Sequence, residues 1–237
     1  MVLAAGQESS PMAHEALERL CRSYWFPLYA HVRSKGFSPH DAEDLTQEFF
    51  ARFLATNALR TLSQERGRFR AFLLASLNHF LANEWERLRA QKRGSGQTIL
   101  SLDAASAERR LQMEPATEVT PERLYDRLWA STLVQRVLER LHAEMIAVGK
   151  GTQFDALRAF LSDAAGALSY AEAAARLNLT EAATRKCVQR LRQRYRESLR
   201  EEVAHTVGAP HEIEVELRYL VSVFTADDSH YSSHHHS

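Results

Sequence analysis

The chain has 237 residues, 45% hydrophobic and 25% charged, close to the average globular protein, which excludes a disordered, collagen-like or disulfide-stapled chain. Lys and Arg together number 30, as do Asp and Glu, so affinity for nucleic acid has to come from charge segregated along the chain rather than from bulk charge. No apolar run approaches the roughly 18 residues of a membrane span, the start MVLAAGQESSPM lacks the basic region of a secretory signal, and Cys21 and Cys187 stand apart without metal-ligand spacing, as reduced thiols do.

Apolar residues recur at intervals of three and four throughout, with no sustained alternation, so the reading is all-α. Residues 1–12 are expected to be disordered. A first helix is predicted over His14 to Ser34, with Leu17, Leu20, Tyr24, Leu28 and His31 or Val32 on one face and a kink or split at Pro27. Gly36 stops it, and Ser38-Pro39 start a second helix as N-cap and first helical residue. Asp41, Glu43 and Asp44 load its first turns, where the helix dipole favours negative charge, and Leu45, Phe49, Phe53 and Leu54 form its stripe. A polar stretch, Thr61 to Arg68, precedes a long amphipathic helix over Phe69 to Lys92.

Residues 94–121 hold Gly94, Gly96, Pro115 and Pro121 with weak periodicity, the composition of a flexible linker between two small domains. Beyond it, helices are predicted over Glu122 to Val148, about 153–163, 169–177 and 181–205. A last amphipathic helix over His211 to Phe224 follows, its inner stripe being Ile213, Leu217, Leu220, Val221 and Phe224. The polar tail 227–237 ends in a histidine run that reads as a tag or a solvated tail.

Charge does segregate. Gly36 to Phe50 carries four acids and no Lys or Arg; Arg60 to Arg93 carries eight bases against three acids; Thr180 to Arg200 carries seven against two. The third of these runs belongs to a helix-turn-helix pattern. Ser169 and Glu172 make a capping box, Asn178 suits a left-handed turn, Leu179 is expected to plug the core, and Thr180 caps a second helix. On that helix Thr184, Val188, Leu191, Tyr195 and Leu199 fall inward. Thr180, Ala182, Arg185, Lys186, Gln189 and Arg190 are left to face a major groove, where Arg and Lys suit guanine and Gln suits adenine.

The run Asp41-Ala42-Glu43-Asp44-Leu45-Thr46-Gln47-Glu48-Phe49-Phe50 resembles the acidic signature of bacterial sigma-70-type factors, and the order of domains resembles their extracytoplasmic-function (ECF) group. The resemblance implies a region 2-like helical bundle over 13–93, a linker over 94–121, a region 4-like helix-turn-helix domain over 122–207, and a C-terminal helix over 208–226 beyond the common domain. It implies an alternative sigma factor that binds core RNA polymerase and directs promoter-specific initiation. Asp41, Glu43, Asp44, Gln47 and Glu48 would dock on the clamp helices of the β′ subunit, with further contact to the β subunit. Arg66, Arg68, Arg70, Asn78, His79, Asn83, Trp85 and Arg89 would read the −10 element as unstacked bases on a basic track. The six outward residues of the helix-turn-helix would read the −35 element. Promoter DNA, core polymerase and an anti-sigma factor are the implied partners, in a cytoplasmic protein that is monomeric when free.

Some residues depart from the family pattern: Glu84 and Glu86 interrupt the basic run, Gly149 to Gly166 is an extra segment, and the last helix packs over the region 4-like domain or meets a regulator. Two other readings stay open, a stand-alone helix-turn-helix regulator and a sigma-like adaptor that binds polymerase or a regulator without reading promoters. No P-loop, Cys/His cluster or nucleophile elbow is found, so no enzyme activity, cofactor or metal is expected.

Overall fold

The computed structural model describes residues 11–55, 69–90, 104–113, 120–161 and 169–231; side chains are described within these except at 11–21, 85–90, 104–105, 113 and 226–231. The described elements are all helical: α1 (Pro11–Ser34), α2 (Pro39–Ala55), α3 (Phe69–Ala90), α4 (Ala104–Met113), α5 (Pro121–Ala147), α6 (Gly151–Leu157) with a 3-10 turn (Arg158–Leu161), α7 (Tyr170–Leu177), α8 (Glu181–Ala204), a 3-10 turn (Pro210–Glu212) and α9 (Ile213–Tyr231). The all-α expectation holds among these residues. Helix α1 starts at Pro11, inside the stretch expected to be disordered, and runs through Pro27 as one element. The segments 1–10, 56–68, 91–103, 114–119, 162–168 and 232–237 lie outside the described residues, and with them the whole predicted polar stretch Thr61 to Arg68, Gly94 to Gly96 and the histidine run.

The chain forms two compact units, residues 1–131 with 204–237, and residues 132–203. In the first, apolar stripes meet at an aromatic core. Tyr24, Leu28 and Tyr29 of α1, Leu45, Phe49 and Phe53 of α2, and Phe69, Leu73, Leu77 and Phe80 of α3 are buried. Phe49 and Phe80 rings lie 5.7 Å apart and Tyr24 meets Phe69 edge-on at 5.2 Å, the tilted geometries that aromatic quadrupoles favour. Tyr125, Leu128 and Trp129 of α5 complete this core.

Part of the predicted linker is helix α4, and it is seated on α1. Glu108 accepts from Arg33 at 2.7 Å and from Tyr29 Oη at 2.7 Å, Arg110 lies 4.1 Å from the Phe26 ring centre, and Ala107 is buried. Two other expectations are corrected. Helix α9 extends to Tyr231, past the predicted start of the tail, and it belongs to the first unit and not to the one that holds the helix-turn-helix. Its packed side centres on Glu216 and Leu220, both buried, while Val221 and Phe224, predicted inside, are exposed. The cause is Arg70, whose buried side chain draws Glu216 inward across 146 positions of sequence.

The second unit buries Leu133, Val137 and Leu141 of α5 together with Phe154, Leu157 and Phe160, so the described part of the extra segment supplies core. Ala173 and Ala174 of α7 and Thr184, Val188 and Leu191 of α8 line the same core. Arg194 and Arg140 share Glu144, at 3.2 and 3.1 Å, tying α8 to α5.

Candidate polymerase and nucleic-acid interfaces

The acidic helix α2 starts as its sequence predicts. Ser38 Oγ accepts from Asp41 N at 3.1 Å and donates to Asp41 Oδ2 at 2.7 Å, with Pro39 at the first helical position. Asp41 and Asp44 are exposed and Glu43 and Glu48 half-buried, so the helix presents a carboxylate face. Gln47 is buried and donates to Glu43 Oε1 at 3.2 Å, orienting a neighbour rather than facing outward. Glu48 pairs one turn on with Arg52 at 2.5 Å. His40 Nδ1 lies 3.3 Å from Asp44, and its pKa is raised, by its own backbone hydrogen bond first and then by Asp44.

Arg52 also reaches Glu84 of α3 at 2.8 Å and lies 5.2 Å from the Phe80 ring centre. Glu84 is only 4% exposed. Half of the acidic departure in the long helix is thereby explained: this carboxylate braces α2 against α3 and does not face a partner.

The predicted −10 residues separate into distinct groups. Arg66 and Arg68 lie outside the described residues, as do the side chains of Trp85 and Arg89 on the helical backbone of α3. His79 and Asn83 are exposed and one turn apart. Asn78 is half-buried, its Oδ1 2.9 Å from Nε2 of the fully buried His31, whose Nδ1 lies 3.1 Å from the Pro121 carbonyl oxygen. Arg70 does not hold a phosphate here. It is 6% exposed and committed to Asp126 and Glu216, and although burial opposes its charge, those carboxylates outweigh it and raise its pKa. Charge periodicity cannot separate an inward arginine from an outward one; only Tyr125, Asp126 and Trp129 on α5 and the acid at 216 hint at such a partner.

The helix-turn-helix follows its sequence closely. Ser169 Oγ accepts from Glu172 N at 3.2 Å and Ser169 N donates to Glu172 Oε2 at 2.8 Å, closing the capping box. Asn178 is left-handed at φ 52° and ψ 44°. Thr180 Oγ1 accepts from Ala183 N at 3.2 Å and caps α8. Thr180, Ala182, Arg185, Lys186, Gln189 and Arg190 are all exposed. Arg185 pairs with Glu181 at 3.1 Å. Leu179 is corrected: it is 40% exposed, because the left-handed turn at Asn178 carries it outward instead of into the core.

Residues 17–93 match the family model for Sigma-70 region 2. The match identifies these residues as a sigma-70 region 2. No match was found among curated proteins or among solved structures. Region 2 here comprises most of α1, all of α2 and α3 and the segments between them, with the acidic face of α2 and the exposed His79 and Asn83 on it. Such a domain supports a role in RNA polymerase binding and promoter recognition. Among the described residues no helix is long and apolar enough to cross a membrane, and no cluster of metal-ligating side chains forms.

Proposed function

We propose that the chain is an alternative sigma factor of the ECF type, which binds core RNA polymerase and directs initiation at its own promoters. The observation that carries this reading is the open carboxylate face of α2 within a sigma-70 region 2. Asp41, Glu43, Asp44 and Glu48 dock on the basic clamp helices of the β′ subunit, an arrangement in which complementary charge sets orientation and speeds association. Gln47 supports that face through Glu43. Arg66, Arg68, His79, Asn83, Trp85 and Arg89 engage the −10 element, with Asn78 limited by its bond to His31. A base costs only a few kcal/mol to unstack, so binding alone drives local opening without a nucleotide fuel. The exposed face of α8 reads the −35 element by major-groove contacts.

The test is core binding and run-off transcription with purified bacterial core polymerase on a promoter-selected DNA pool. The wild type is compared with an Asp41→Ala/Glu43→Ala/Asp44→Ala variant. Core binding and promoter-specific transcripts, both weakened at least about tenfold in the variant, are expected. Core binding without transcripts would support an adaptor instead. Direct, tight duplex binding with no affinity for core would support a stand-alone regulator.

A further inference from the structure

The start of α3 is held by residues that follow region 2 in the sequence. Phe69 N donates to the Thr206 carbonyl oxygen at 3.3 Å, and Tyr125 Oη donates to the Arg70 carbonyl oxygen at 3.2 Å. Arg70 Nε donates to Glu216 Oε1 at 3.0 Å, and another of its guanidinium nitrogens pairs with Asp126. The guanidinium carbon lies 5.1 Å from the Trp129 ring centre and 4.3 Å from that of Tyr219, and Tyr219 Oη donates to Asp126. Backbone and side chain of the first two residues of α3 are therefore tied to α5, to α9 and to the stretch joining α8 and α9.

Burial decides what this cluster is for. Glu216 is 1% exposed and Asp126 13%, so opening the cluster would strand charges away from water. That cost makes it a standing fixture and not a switch. Contact with unstacked bases needs a rigid carrier, because freedom at the foot of a reading helix is lost on binding and subtracts from the energy available for opening DNA. The geometry points to a clamp: α9 and the first turns of α5 fix the start of α3, with Tyr125, Asp126 and Glu216 as positioning residues for promoter opening that do not themselves touch DNA. This inference rests on the −10 reading proposed above.

The experiment uses the full chain with core polymerase and a promoter carrying 2-aminopurine in the −10 element. Glu216→Gln, which keeps the shape and removes the charge, is compared with wild type and with Glu216→Ala. Core affinity, fluorescence on opening and amide exchange across residues 69–76 are measured on each. For Glu216→Gln, core affinity within about twofold of wild type, opening reduced about tenfold and faster exchange at 69–76 are expected. Glu216→Ala should exceed it in the last two, and if that variant does not fold, Glu216→Gln decides alone. Opening that falls no further than core affinity, or exchange at 69–76 that does not change, overturns the clamp. If wild type opens no promoter, the sigma-factor reading fails instead. Exchange then decides the clamp: unchanged protection in Glu216→Gln overturns it, and lost protection leaves it standing as a fixture of α3.

Discussion

At the scale of single residues, the capping box of α7 shows a local interaction legible in full. Ser169 and Glu172 are three positions apart, both hydrogen bonds lie within one turn, and no distant partner intervenes. Asn178 was equally readable, since few residues other than glycine accept φ 52° without strain. The Glu172 carboxyl is held below its ordinary value, chiefly by the Ser169 backbone N–H and then by the Ser169 hydroxyl. A depressed folded-state pKa contributes stability above the unfolded value and loses it as pH falls through the folded one. Glu172→Gln should therefore flatten the acid limb of a stability-against-pH curve followed by circular dichroism. Ser169→Ala should cost about 1 kcal/mol at neutral pH as well. An unchanged acid limb in Glu172→Gln would mean that the box does not persist in solution.

At the scale of elements, helix boundaries were largely legible and packed faces only partly. Helix α8 begins at Glu181 and ends at Ala204, within a residue of its pattern, because caps and periodicity are properties of the segment itself. The α4 helix was missed since its own apolar surface is thin and its seat is polar: Glu108 receives Arg33 and Tyr29 from α1, 75 and 79 positions earlier. Tyr29 is pushed up to about 12, first by burial and then by its hydrogen bond to Glu108, and Glu108 is lowered, chiefly by Arg33. The tyrosine's contribution to stability is present below its unfolded pKa and is lost as pH rises through about 12. The contribution of Glu108 runs the other way and is lost on acidification. Glu108→Gln should lower the Tyr29 titration, read by tyrosinate absorbance, yet leave it above the ordinary tyrosine value because burial is the larger cause. Amide exchange across 104–113 should quicken in the same variant. Helix α9 makes the same point about distance, since its face was chosen by a buried ion pair and not by apolar periodicity. Leu220→Ala, at 3% exposure, should cost about 2–4 kcal/mol in urea unfolding, whereas Val221→Ser should fall within about 0.5 kcal/mol of wild type. A cost for Val221→Ser as large as that for Leu220→Ala would restore the stripe expected from the sequence.

At the scale of the whole molecule, a net charge of +0 conceals two kinds of arginine and lysine. Those on the outer face of α8 stand in solvent, while Arg70 has its charge matched by two carboxylates. Both kinds sit in basic runs of sequence, and no count of charges separates them; the pairing that does so joins α3 to residues 56 and 146 positions away. Salt dependence does separate them. A cation that neutralises a promoter phosphate releases about 0.9 of a condensed counterion, so removing that cation makes the slope of log affinity against log salt shallower by about the same amount. With full-chain holoenzyme, Lys186→Ala or Arg190→Ala should reduce the slope by about 0.9 for each phosphate the side chain neutralises and weaken binding at low salt. Arg70→Gln should leave the slope unchanged, because a charge already matched inside the protein releases no counterion from DNA, while lowering the unfolding temperature as Asp126 and Glu216 lose their buried counter-charge. A slope that responds to Arg70→Gln and not to Lys186→Ala would put the DNA track on α3 and remove α8 from the interface.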